Sequence, residues 1–306
     1  MSVTLCECFA RDGLQHETVE VPTGTKVKLI DAMTAAGFPR IEVTSYSHPG
    51  RVPVFGDASA VLAKIKRRGG IGYKATCPNE RAVSRALEDF ALGHGATEIS
   101  FLASATESHT ERNLRTTRDG QWVRIEEMSR LAGDRFTIVG VLSVALGCPF
   151  EGSVDPGRVV EDAARFAEVG ATLLTVGDTV GTGTPSTVRH LFRRLIDEVP
   201  GITPVAHFHD TRGTGLANCM AAFDAGCTHF DSAFGGVGGH PTQISYGQGR
   251  TGNVATEDLV SLLEAEGVAT GIDLDAMMRL SECCENALGR QLDSKVARAG
   301  LLPAAA

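Results

Sequence analysis

Two histidines separated by one residue, His207 and His209, lie in Pro204–His209, a short apolar run with the look of a β-strand. Strand residues two apart point to the same side, so two imidazoles at a strand end form a natural two-point clamp for a cation. Asp12, just after the first strand-like run, could add a carboxylate. Mixed nitrogen and oxygen donors without a neighbouring cysteine suit a six-coordinate ion such as Mg²⁺ or Mn²⁺ better than a closed zinc site. The plainer account is two unrelated histidines in a polar loop, and His-x-His alone is a weak signal.

Other polar groups fall at strand ends. Arg11 beside Asp12 could polarise a carbonyl or stabilise an enolate, or be a simple ion pair. Gln15 follows closely. Glu42 lies within a strand, where a buried carboxylate needs a partner such as Arg11. Ser143 ends a fifth strand. Asp178, in Gly177-Asp178-Thr179, suits equally a group behind the site and a capping residue. Four glycines precede His240 in Gly235-Gly236-Val237-Gly238-Gly239-His240, a segment whose backbone could approach a ligand and gate a site, or be a plain connection. Gly181-Thr182-Gly183-Thr184-Pro185 fits no phosphate-loop spacing and reads as a turn before a capped helix.

Positioning these groups at one rim requires a particular scaffold. Eight strand-like runs are read at Val3–Cys8, Arg40–Thr44, Gly72–Thr76, Thr97–Leu102, Phe136–Leu142, Leu173–Val176, Pro204–His209 and His229–Ala233. Amphipathic stretches mostly alternate with them, including Lys26–Ala36, Ala58–Lys66, Glu80–Leu92 and Ile125–Leu131. Asp155-Pro156 and Thr184-Pro185 read as N-caps followed by the first helical residue. Such alternation predicts a parallel sheet, and eight units favour a closed (β/α)₈ barrel, an α/β TIM barrel, with catalytic groups at the C-terminal strand ends. An open doubly wound sheet is the alternative, but the first turn, Phe9-Ala10-Arg11-Asp12-Gly13-Leu14, lacks the dinucleotide fingerprint. The reading is one catalytic domain over 1–306: a barrel to about residue 235, then an active-site loop and C-terminal helices over about 236–306.

The 306 residues suffice for one barrel, and 42% hydrophobic with 22% charged residues is ordinary globular composition. A net charge of −8 disfavours nucleic acid as a general partner. There is no apolar run long enough for a membrane span and no basic start followed by an apolar stretch, so neither membrane nor secretory signal is expected. Eight irregularly spaced cysteines favour a reduced, cytoplasmic setting.

The motifs taken together resemble those of the 3-hydroxy-3-methylglutaryl-CoA (HMG-CoA) lyases, within the wider group of metal-dependent barrel lyases and Claisen-type synthases. They are Arg11-Asp12-Gly13-Leu14-Gln15, Ile41-Glu42-Val43-Thr44-Ser45, Ala145-Leu146-Gly147-Cys148-Pro149, Gly177-Asp178-Thr179, His207-Phe208-His209-Asp210-Thr211 and Gly252-Asn253-Val254-Ala255-Thr256-Glu257-Asp258, in order over nearly the whole chain. The resemblance implies a barrel binding Mg²⁺ or Mn²⁺ through Asp12, His207, His209 and Asn253. It implies Arg11 as the group that stabilises the enolate, with Gln15 and Glu42 supporting the site, and a base such as His207 or Asp178; Gln15, Glu42 and, from its place at a strand end, Ser143 are the expected substrate-binding residues. The reaction implied is cleavage of a 3-hydroxyacyl-CoA into acetyl-CoA and a keto product. An acyl-CoA and a second copy of the chain (a dimer or larger homo-oligomer) are the expected partners. Three positions depart from the family pattern: His240 stands where a cysteine precedes proline, Thr18 where a lysine is usual, and Val141 where the fifth strand carries an aromatic residue. The expected substrate is therefore a 3-hydroxyacyl-CoA, HMG-CoA-like or citramalyl-CoA-like, with a different or longer branched acyl group fitting better than HMG-CoA itself, and with His240 as the acid. A Claisen-type condensing enzyme and a metal-binding paralogue without lyase activity are the alternatives.

Overall fold

The computed structural model describes residues 1–239 and 252–301. Eight strands follow one another around a closed parallel barrel: β1 (Thr4–Glu7), β2 (Arg40–Ser45), β3 (Gly72–Thr76), β4 (Glu98–Ser104), β5 (Thr137–Ser143), β6 (Ala171–Asp178), β7 (Thr203–Phe208) and β8 (His229–Ser232). β8 closes on β1 in register, Cys6 opposite Asp231. The expected barrel is therefore the observed one, and the open sheet is excluded by that closure.

Around it lie α1 (Thr23–Ala35), α2 (Ala58–Lys64), α3 (Glu80–Ala91), α4 (Glu107–Leu114), α5 (Arg118–Ala132), α6 (Pro156–Glu168), α7 (Pro185–Glu198) and α8 (Gly215–Asp224). The caps read from sequence are made. Asp155 accepts the Gly157 N–H, and Thr184 forms a reciprocal capping box with Thr187, each followed by proline at the first helical position. One helix escaped the sequence reading. α4, Glu-Ser-His-Thr-Glu-Arg-Asn-Leu, has almost no apolar stripe, and it buries His109 and Thr110 instead. After the barrel come α9 (Thr256–Ala265), α10 (Leu274–Leu288) and the short α11 (Val296–Ala299). α10 packs on α1, and α9 touches α8, so these helices join the outer ring.

The apolar core sits between strands and helices. Trp122 packs edge-on against Phe166, and Phe192 against Phe208. The inside of the barrel is different. Instead of layers of branched apolar side chains, it holds Arg40, Glu42, Lys74, Glu98 and Asp231, all buried. Among the described residues no helix is long and apolar enough to cross a membrane.

Candidate active site

After β1 the chain enters a π-helical turn, Phe9–Gly13, whose hydrogen bonds span one residue more than those of an α-helix. Glu7 sets its start by accepting the Phe9 N–H at 2.8 Å. The wide turn aims Arg11 and Asp12 over the barrel mouth. Gly13 is required by crowding, since a Cβ there would lie 2.7 Å from Val237 Cγ2.

At the end of β7, His207 and His209 do share a side, their ring centroids 5.4 Å apart. Donor atoms of Asp12, His207 and His209 all lie within 4.8 Å of one another. Asn253 reaches the same place because its backbone pairs with that of His209 in an isolated antiparallel bridge. Val254 N–H donates to Phe208 O at 3.0 Å, and Asp210 N–H to Gly252 O at 2.8 Å. The Asn253 amide donates to Asp12 Oδ2 (2.7 Å) and to Val237 O (2.9 Å).

This cluster fits a divalent cation. His209 Nδ1 and Asn253 Oδ1 are buried with no hydrogen-bond partner, which is costly unless something else accepts their lone pairs. Gly238 leaves the space open, because a Cβ there would stand 2.3 Å from Asn253 Nδ2 and 2.8 Å from Asp12 Oδ2. Burial, with help from His207, pushes His209 down to about 3, so its ring is neutral and able to ligate. Burial alone would raise the pKa of Asp12, but Arg11 and then His207, with the Asn253 amide, hold it below the usual carboxylate range.

Beneath the cluster runs an unbroken series of buried opposite charges. Asp12 pairs with Arg11 (3.0 Å), Arg11 with Glu42 (3.7 Å) and Glu42 with Lys74 (3.7 Å). Lys74 lies 3.6 Å from Asp231, Asp231 4.0 Å from Arg40, and Arg40 makes a 2.8 Å pair with Glu98 on the barrel floor. The Arg11–Glu42 pair read from sequence is thus present, and Glu42 also accepts the Thr76 hydroxyl at 2.9 Å. Burial opposes charge on Arg11 and Lys74, yet their carboxylate neighbours outweigh it and raise both pKa values. For His207 the same contest between burial and Asp231, with Asp12, ends in a raised pKa. Lys74, Asp231 and Arg40 were missed in the sequence reading. The available signal was a charged residue inside a barrel strand, which is buried on both faces and cannot expose it.

The cavity above measures about 650 Å³. Arg11, Asp12, Gln15, Glu42, Ser143, His207 and His209 line it, together with the apolar Leu102 and Val141 and the basic Arg51, Arg115 and Arg124. Arg115, at the C-terminus of α4, is in the left-handed region at φ 56°, as is Val144, next to Ser143, at φ 54°; such backbone is uncommon in non-glycine residues and concentrates at functional sites. Asp178 is not part of this lining. Its two oxygens accept the Thr182 and Gly183 N–H groups, each at 2.9 Å. Asp178 thus braces the Gly181–Pro185 turn ahead of α7, whose N-cap is Thr184, and stands behind the cavity between the lining residues Gly177 and Thr179. His240 lies outside the described residues.

The HMGL-like family model matches residues 2–284. The chain belongs to this family. Mitochondrial hydroxymethylglutaryl-CoA lyase of Rattus norvegicus is 37% identical over 298 residues, covering 97% of this chain and 89% of that protein. The structure of an HMG-CoA lyase from Acinetobacter baumannii, in complex with coenzyme A and 3-methylmalate, superimposes with TM-score 0.92 at 33% identity, covering 100% and 97% of the two chains. Hydroxymethylglutaryl-CoA lyase from Pseudomonas aeruginosa gives TM-score 0.91 at 34% identity over 97% of each chain. With hydroxymethylglutaryl-CoA lyases as its near-full-length relatives, the chain is a carbon–carbon lyase.

Proposed function

We propose that this HMGL-like lyase cleaves a 3-hydroxyacyl-CoA into acetyl-CoA and a keto product, using Mg²⁺ or Mn²⁺ held by Asp12, His207, His209 and Asn253. The observation that carries the reading is the convergence of Asp12, His207 and His209 with Asn253 hydrogen-bonded to Asp12, two of the four having unpartnered buried atoms, at a cavity walled by a half-buried arginine. When bound, the cation would draw the substrate's hydroxyl and carbonyl oxygens together and make the hydroxyl more acidic.

Retro-aldol cleavage takes the 3-hydroxyl proton, breaks the C2–C3 bond and leaves the electron pair on the enolate of acetyl-CoA. Arg11 presents fixed guanidinium donors to that developing oxyanion, oriented by Asp12 and Glu42. Asp178, spent on backbone amides, is not placed to take the hydroxyl proton. His207 is on the cavity wall, and its Nε2 serves either the cation or the proton, because Nδ1 faces Asp231. His240, on its place in the sequence alone, is our assignment for the acid that protonates the enolate, and His240→Ala lowers kcat by roughly 10²–10⁴ in that role. Gln15 and Ser143 are assigned to the substrate.

The relative crystallised with coenzyme A and 3-methylmalate supports an acyl-CoA ligand here. Among the described residues, Val141 and Leu102 give the cavity an apolar wall, with room for an HMG-CoA-like, a citramalyl-CoA-like or a longer branched acyl group. One catalytic domain, a homo-oligomeric assembly and a cytoplasmic setting complete the proposal; the last accords with eight unpaired cysteines. The deciding experiment is acetyl-CoA release from HMG-CoA, citramalyl-CoA and longer branched 3-hydroxyacyl-CoAs, with Mn²⁺ and with EDTA. Metal-dependent release from one of them supports the reading. Condensation without cleavage, or metal binding without turnover on the whole panel, overturns it in favour of a synthase or an inactive paralogue.

A further inference from the structure

We propose that Asp231 is the positioning residue of the site, fixing the His207 ring with its proton on Nδ1 so that the Nε2 lone pair is presented to the cavity. This rests on the reading of His207 as a metal-site residue and adds the group that prepares it. Asp231 sits on β8 opposite His207 on β7, paired in register. His207 Nδ1 and Asp231 Oδ2 are 3.3 Å apart. A carboxylate can only accept, so Nδ1 must be the donor, and a neutral imidazole that donates from Nδ1 carries its lone pair on Nε2. That is the tautomer which a ligand or proton acceptor needs, and carboxylate-to-histidine contacts of this kind orient metal-binding rings elsewhere.

Asp231 is itself held from three sides. Thr175 donates its hydroxyl to Oδ2 at 3.4 Å, Lys74 Nζ stands 3.6 Å from the same oxygen, and Arg40 Nη1 is 4.0 Å from Oδ1. With 2% of its surface exposed, the carboxylate has no water shell to turn in. Lys74 also faces Glu42, the partner of Arg11. The same lysine thus ties the support of the His207 ring to the support of the Arg11 guanidinium.

The test combines ¹H–¹⁵N long-range NMR of the histidine rings with Mn²⁺ titration of the metal-stripped protein, for the wild type, Asp231→Asn and Asp231→Glu. Mn²⁺ binding to the wild type checks the metal-site reading on which the proposal stands. The ring spectra check the proposal itself without metal. The expected result is an Nδ1–H signature for neutral His207 in the wild type and its replacement by a tautomer mixture in Asp231→Asn. Mn²⁺ affinity should fall roughly 10–100-fold in that variant, with partial recovery in Asp231→Glu. A fall in kcat at unchanged KM and unchanged Mn²⁺ affinity, with the tautomer altered, also supports positioning, on behalf of proton transfer. An Nε2–H signature in the wild type overturns the proposal, even if neither variant folds. So does a folded Asp231→Asn with unchanged ring spectra, which would leave Asp231 as a counter-ion for Lys74 and Arg40 only.

Discussion

Asn253 and Asp12, 241 residues apart in the chain, meet at 2.7 Å through an amide-to-carboxylate hydrogen bond that leaves the Asn253 carbonyl oxygen buried and unpartnered. The bond spends the amide donor on Asp12 and turns the acceptor toward whatever cation enters. Asn253→Asp would set two carboxylates in that contact. Like charges so close oppose each other, so the metal-free variant should melt several degrees below the wild type. Added Mn²⁺ should raise its melting temperature by more than it raises that of the wild type. Thermal melts in EDTA and in Mn²⁺ check this. Equal metal-induced shifts in the two proteins would place the cation elsewhere.

Arg11 is half-buried between Asp12 and Glu42, and its Nε is buried with no hydrogen-bond partner. Lysine would retain a positive charge but lose the planar fork. Arg11→Lys should lower kcat by roughly 10²–10³, the usual worth of a donor to a developing oxyanion, with a much smaller change in KM. Steady-state kinetics on the substrate identified by the acyl-CoA panel give the measurement. An unchanged kcat would reduce Arg11 to a structural ion pair.

The barrel and most of its rim were legible in sequence because each signal was local. Asp155-Pro156 and Thr184-Pro185 mark helix starts by their own chemistry. His207 and His209 point together because a strand has period two. What was not legible depends on closure. Lys74 reads as one cation in an ordinary strand until β8 brings Asp231 to one side of it and β2 brings Glu42 to the other. Asp178 could be weighed from sequence as a cap or a group behind the site. Its role as a brace depended on whether the turn at Thr182 and Gly183 folds back onto it, which it does. Asn253 could be named as a polar residue beyond the last strand, but its place among the proposed ligands was reachable only through resemblance, since its backbone pairs with His209 far away in the chain.

Glu7 links stability to pH. Its carboxyl is buried, accepts the Phe9 and Phe234 N–H groups and the Thr256 hydroxyl, and is pushed up to about 8, burial being the main cause. A carboxyl whose folded pKa lies above its unfolded value near 4.5 stabilises the fold fully below about pH 4.5. That contribution is lost as pH rises toward 8, at roughly 1.4 kcal/mol per unit. Glu7→Gln keeps an oxygen for the two backbone donors and removes the titration. Chemical denaturation at pH 5, 6.5 and 8 should show the variant gaining on the wild type as pH rises. Parallel stability curves would show that Glu7 does not titrate in this window.

Gly238 is where the fold and the proposed metal site make competing demands. Its φ of +112° belongs to glycine, and a Cβ would lie 2.3 Å from Asn253 Nδ2 and 2.8 Å from Asp12 Oδ2. Two effects of Gly238→Ala must be separated. Backbone strain of about 1 kcal/mol or more is expected of any side chain forced to positive φ. Displacement of Asn253 and Asp12 is peculiar to this position. Gly267→Ala is the control, because Gly267 has φ +72° and nothing within 4 Å of its would-be Cβ. In EDTA, Gly267→Ala should lose stability by the backbone strain alone, and Gly238→Ala by more, since it also displaces two buried side chains. Only Gly238→Ala should weaken Mn²⁺ binding, by roughly tenfold or more, since it moves two ligands at once. Mn²⁺ titration of both variants alongside their melting curves decides the matter: equal Mn²⁺ affinities would mean that the Asp12–Asn253 pair yields to the methyl group without disturbing a cation, and that Gly238 answers to backbone conformation alone.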